Sequence, residues 1–123
     1  MTSHDFGIID NFEESKGYSN YEPEKYNCVS VDDNIIEDMI LRYKEELSAI
    51  KTYYHTKTQP GKGLDYCGVT IIPPESLQQF RDVILKAINE KESYEMKVRQ
   101  LEILIDKVTE AIKANKHIIH YGI

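Results

Sequence analysis

Apolar residues recur at helical spacing along the second half of the chain. From Leu77 they run through Phe80, Ile84, Ala87, Tyr94, Val98, Leu101, Ile105, Val108 and Ile112 in alternating steps of three and four, with Lys91 as the one charged intruder. Two arrangements fit this pattern. A single helix of about forty residues would span roughly 60 Å and offer a coiled-coil seam. A helical hairpin instead breaks at the polar run Asn89–Ser93, with Ser93 as a fresh N-cap. The hairpin is favoured because a free 60 Å helix leaves too little chain to cover its seam, whereas the lack of Gly or Pro between Pro74 and Gly122 keeps the long helix open.

An earlier stripe, Ile36, Ile40, Tyr43, Leu47 and Ile50, predicts a first helix with one buried face. Asp32 is placed to cap it, and Val31 to staple onto Ile36. Three short runs read as strands: Tyr26–Val31, Asp65–Ile72 ended by Pro73-Pro74, and His117–Ile123 after a stop at Asn115. The stretch Thr52–Gly63 reads as a turn or exposed loop. Residues 1–25 read as an acidic arm or irregular loop anchored by Phe6, Ile8, Ile9 and Phe12. The expected class is α+β: one domain over 1–123, with a small sheet of about three strands packed against three helices and the last strand paired with Asp65–Ile72.

At 123 residues, 41% hydrophobic and 29% charged, the chain has enough apolar content to fold around a core. Its start carries neither a basic stretch nor a continuous apolar run, and no segment approaches the ~20 apolar residues of a membrane span, so a cytoplasmic protein with no membrane partner is expected. Two cysteines, Cys28 and Cys67, are too few for a disulfide scaffold.

Charge changes the picture most. Residues 1–50 carry twelve Asp/Glu against four Lys/Arg, while 51–123 carry nine against eleven. Such asymmetry speaks of partners rather than of fold. The acidic part interleaves tyrosines, with Tyr18, Tyr21 and Tyr26 lying among Glu13, Glu14, Glu22, Glu24, Asp32 and Asp33; Glu37 and Asp38 follow on the first helix. Tyrosine supplies contact area with a polar tip, and clustered carboxylates steer a basic partner. The same tyrosines would equally serve to pin the arm to the core. Nucleic acid is not expected, because the basic residues from Arg81 to Lys116 are scattered among acids and form no stripe.

Signals for chemistry are weak. Asp5-Phe6-Gly7 lacks every companion motif of a kinase, and Gly61-Lys62-Gly63 lacks the first Gly and the trailing Ser/Thr of a phosphate loop. His117 and His120 on a strand face opposite sides and cannot share an ion, so neither metal nor cofactor is expected. A thiol such as Cys67 near His55 or His120 has no supporting motif. No catalytic residue is assigned, and the protein is read as a non-enzyme.

The opening Asp5-Phe6-Gly7-Ile8-Ile9-Asp10, the stretch Tyr21–Cys28 and the ending Ile118–Ile123 resemble small bacterial proteins that accompany polymorphic toxins as immunity proteins. The resemblance implies a protein that neutralises a cognate toxin by binding it, and it carries over no site residues. The leading expectation is therefore a binding module for a basic toxin or nuclease, engaged through Glu13, Glu14, Tyr18, Tyr21, Glu22, Glu24, Asp32, Asp33, Glu37 and Asp38. A second reading is a structural module, a homodimer joined through the seam 77–112; a third is an enzyme of unrecognised type.

Overall fold

The apolar run at His117–Tyr121 is paired on both sides rather than one, and this sets the architecture. The computed structural model describes residues 2–54 and 60–123. In chain order the elements are β1 (Ser3–Ile9), β2 (Val29–Asp32), α1 (Asp33–Arg42), α2 (Lys44–Ser48), β3 (Lys51–Tyr54), β4 (Pro60–Lys62), β5 (Val69–Ile72), a 3-10 turn (Pro74–Ser76), α3 (Leu77–Ile88), α4 (Glu95–Ala114) and β6 (His117–Tyr121). The strands form one sheet in the order β2-β1-β6-β5-β3-β4, antiparallel throughout. The α+β class stands. The small sheet of about three strands against three helices does not: among the described residues there are six strands and four α-helices.

Three local differences account for the extra elements. Residues 3–9, read as part of the arm, form β1 and lie inside the sheet between β2 and β6. The stretch read as a loop from Thr52 to Gly63 instead supplies β3 and the edge strand β4, with 55–59 outside the described residues. The first helical stripe is broken at Tyr43, where ψ of 35° ends α1 and starts α2. The Tyr43 hydroxyl donates to Glu90 Oε1 at 2.7 Å.

Strand alternation divides the side chains between two covered faces. Phe6, Ile8, Val31, Ile72 and Ile118 face the helices and join Ile36, Met39, Leu77, Phe80, Ile84, Leu101, Leu104 and Val108 in the main core. Ile9, Tyr53, Ile71, Ile119 and Tyr121 face the other way and are covered by Phe12, Tyr18, Tyr26 and Cys28 from the irregular stretch 10–28. The sheet thus has helices on one side and this stretch on the other.

Much of the helical seam is buried within the chain: Leu77, Phe80, Ile84, Ala87, Leu101, Ile105 and Val108 are buried where α3 packs on α4, while Val98 and Ile112 are half-buried and Tyr94 is exposed. Ser93 does not cap α4. Its hydroxyl donates to the carbonyls of Ala87 and Ile88 and so closes the end of α3. Asp32 occupies the N-cap position of α1 without a side-chain capping bond. Asn115, in the left-handed conformation at φ 55°, ends α4 and turns the chain into β6. No helix among the described residues is long and apolar enough to cross a membrane.

The stretch 10–28 sits so close to β1 that Gly7 has no room for a side chain. A Cβ there would lie 2.6 Å from Cys28 Sγ and 2.7 Å from Tyr26 Cβ and its carbonyl oxygen. Gly7→Ala is therefore expected to push residues 26–28 off the sheet and cost about 1–3 kcal/mol, read as a lower urea midpoint.

Candidate functional site

The two ends of the sheet collect different groups. At the end where β1 starts, Ser3 pairs with Asp32, and α1 begins at Asp33. The turn Asp65–Gly68 that leads into β5 lies at this same end, where the backbone of Tyr66 accepts from Ile123 N–H at 3.0 Å. Asp32, Asp33, Glu37, Asp65, Tyr66 and Cys67 are gathered here. No lysine or arginine among the described residues pairs with these carboxylates. Six carboxylates elsewhere, Asp10, Glu22, Asp38, Glu46, Glu90 and Glu95, each pair with one.

A polar chain runs inward from this end. His4 Nε2 lies 2.9 Å from Asp33 Oδ1, His4 Nδ1 lies 2.8 Å from His120 Nε2, and His120 Nδ1 faces Thr70 Oγ1 at 3.4 Å. Thr70 Oγ1 in turn accepts from the Asp65 backbone N–H at 2.8 Å. Both imidazoles are fully buried, stacked 7° from parallel with centroids 5.1 Å apart. Alternation explains their position: His4 and His120 are on the same face as Phe6 and Ile118, so the strand phase that buries the apolar residues buries them too. Burial, reinforced by His4, lowers the pKa of His120 to about 3. Hydrogen bonds from Tyr66 and His4 hold Asp33 below the usual carboxylate range. The Tyr66 hydroxyl, shared between Asp33 and Glu37 with its Glu37 bond at 3.2 Å, is raised well above an ordinary phenol.

On the opposite face, the buried Asp5 accepts from the hydroxyls of Tyr21 and Ser30. The bond to Asp5 pushes the Tyr21 phenol up to about 12. Burial and Asp5 push the neighbouring Cys28 thiol up to about 12, which removes its thiolate at neutral pH. His117 is stacked on Phe12 at 3.9 Å on this face, while His120 lies on the other. His55, considered with Cys67 for catalysis, lies outside the described residues. No group of three or more His, Cys, Asp or Glu among the described residues is arranged to hold a metal.

The ten residues expected to bind a partner do not form one surface. Tyr21, Asp32, Asp33 and Glu37 belong to the acidic end. Glu13 and Glu14 follow Asp10 beyond the far end of β1, where Lys116 binds Asp10 at 2.9 Å; six residue steps of strand separate the ends by roughly 20 Å. Tyr18 is 3% exposed, stacked on Phe12, and its hydroxyl accepts from Glu13 N–H, so it pins the covering stretch rather than a partner. Glu22 pairs with Lys25 and its N–H bonds to Tyr121, Asp38 pairs with Arg42 at 3.0 Å, and Glu24 is exposed. Sequence reasoning missed Asp5, Tyr66, His4 and Thr70. The usable signal for His4 was its spacing of two from Phe6 in a strand that was not recognised.

The sign of the pH effect follows from His120. An unfolded histidine binds a proton below about pH 6.5, and the folded one refuses it until about pH 3. Its contribution to stability is complete above pH 6.5 and is lost as the pH falls through that window, at up to about 1.4 kcal/mol per pH unit. Urea unfolding at pH 7 and 4.5 should show a larger loss for the natural protein than for His120→Gln. No protein-family model, curated protein or solved structure matches the chain.

Proposed function

We propose that the protein is a binding module that docks a basic protein partner on its acidic end, in the manner of an immunity-type inhibitor neutralising a basic toxin or nuclease. The observation that carries this reading is the gathering of four carboxylates from separate segments at one end of the sheet. Asp32, Asp33, Glu37 and Asp65 share one sheet end with no lysine or arginine partner among the described residues, while Asp10, Glu22, Asp38, Glu46 and Glu95 elsewhere on the surface are paired within the chain. Carboxylates placed in this way attract a cationic surface over long range and select against an acidic one.

The end is also stiff. Asp33 is held by His4 and Tyr66, and Asp5 holds Tyr21, a residue 65% exposed whose ring is set edge-on to Tyr121 at 5.0 Å. A charged site whose side chains are already fixed loses less entropy on binding. The exposed tyrosine beside it gives the interface an aromatic anchor. The residues bet on from sequence contract accordingly to Tyr21, Asp32, Asp33 and Glu37, joined by Asp65 and Tyr66.

The test is co-expression with the product of the adjacent open reading frame, scored by growth and co-purification. A toxic neighbour relieved by a complex, with affinity falling at least about tenfold (about 1.4 kcal/mol) for Asp32→Lys with Glu37→Lys, is the expected result. The pair Glu13→Lys with Glu14→Lys, at the far end, should leave affinity unchanged. Equal binding by the Asp32/Glu37 variant would remove the acidic end as the interface.

A further inference from the structure

With both rings neutral, the polar chain inside the sheet admits one self-consistent set of proton positions. The Asp33 carboxylate only accepts, so His4 Nε2 carries a hydrogen aimed at Oδ1 across 2.9 Å. A neutral His4 is then bare at Nδ1 and accepts from His120 Nε2–H across 2.8 Å. His120, neutral through burial, is bare at Nδ1 and faces the Thr70 hydroxyl, which itself accepts from Asp65 N–H. Every donation runs towards Asp33.

We propose that His4 and His120 form a one-proton switch linked to the surface carboxylate Asp33. A proton delivered to His120 Nδ1 from the Thr70 side releases the hydrogen on His120 Nε2 to His4 Nδ1. One N–H bond forms on His120, one breaks on His120, and one forms on His4. The charge comes to rest on His4, whose Nε2–H still faces Asp33. The same heavy-atom contacts persist with the central hydrogen bond reversed, and the acidic end becomes one unit less negative. A second proton is barred: it would place hydrogens on both nitrogens of the 2.8 Å contact and two charged rings 5.1 Å apart.

The surroundings single out Asp33 as the partner of this charge. From α1 the rings meet Asp33, with Glu37 reached only through Tyr66; from the turn before β5 they meet the Tyr66 ring at 5.2 Å, and from β5 Thr70. Phe6 on β1 lies 4.8 Å from His120, and Val31 on β2 is directly opposite His4. The core side chains of α3 and α4 are apolar, and the one buried cation there, Lys97, is held by Glu90 at 2.9 Å. The device does not depend on the identity of any partner.

Imidazole nitrogen NMR of the whole protein from pH 8 to 4 tests it. The expected result is a single midpoint at which His4 gains its Nδ1 proton and the His120 hydrogen moves from Nε2 to Nδ1 while the protein stays folded. Separate midpoints, a charged His120 in the folded protein, or unchanged tautomers down to unfolding would overturn the proposal. Asp33→Asn should lower the midpoint by about 1–3 pH units by removing the facing charge. Thr70→Val, which changes no charge, should also lower it by removing the acceptor for the relocated hydrogen. A midpoint that moves in neither variant overturns the link between the pair and its two ends.

Discussion

The pairing of β1 with β6 is the constraint on which the rest of the structure depends. Five residue pairs, from Asp5 opposite Tyr121 to Ile9 opposite His117, join segments more than a hundred residues apart. This ladder makes two smaller sheets into one, with β2 on its outer side and β5, β3 and β4 beyond β6. It also fixes the two layers, because the phase that turns Phe6, Ile8 and Ile118 to the helices turns Ile9, Ile119 and Tyr121 to the stretch 10–28. Contacts of such sequence separation are closed late and against chain entropy, so local helical order cannot by itself define this fold.

The same ladder creates the buried polar chain. Phe6 is opposite His120, and His4 lies one step of the same face away, so the two imidazoles meet because their strands are neighbours in this register. A shift of β1 by one residue would turn His4 to the other face and break its contacts with both His120 and Asp33. Ring nitrogens that all have partners make the interior placement tolerable, since a buried polar group is costly only when it lacks one. The chain therefore reports on register while it anchors the start of α1. The proposed site inherits its rigidity from this arrangement, for Asp33 is the point at which the interior chain reaches the surface.

The edges of the sheet show how an open sheet is kept from pairing further. β4 is three residues long and contains Pro60 and Lys62, both unfavourable to strand addition. On the other edge, the Asp32 N–H of β2 is occupied by Gln100 Oε1 of α4 at 2.7 Å. The acidic end lies at the strand termini, with Asp32 as the last residue of the edge strand β2 and Glu37 exposed on α1. Function by surface charge is compatible with this scaffold because it asks nothing of the apolar core.

Amphipathic helices with steps of three and four were legible at Leu77–Ile88 and Glu95–Ala114, because helix burial is one-sided and leaves its period in the sequence. The stop at Asn115 and the strand at His117–Tyr121 were legible for similarly local reasons. The strand Ser3–Ile9 was not, since it is covered on both faces and mixes His, Asp and Gly with Phe and Ile, so no alternation survives. β4 was hidden by Pro60-Gly61, which reads as a turn until β3 is beside it. The acidity of residues 1–50 was plain from composition, but composition has no ends or faces. Only the pairing of β1 with its two neighbours decided that Glu13 and Glu14 leave the site, that Tyr18 is core, and that Asp33 meets His4. The sequence by itself determined the amphipathic stretches of the last two helices, the α+β class and the sign of the charge, all of which are local or additive. Register, burial of the histidines and the gathering of carboxylates at one sheet end are properties of long-range pairing, which no local pattern encodes.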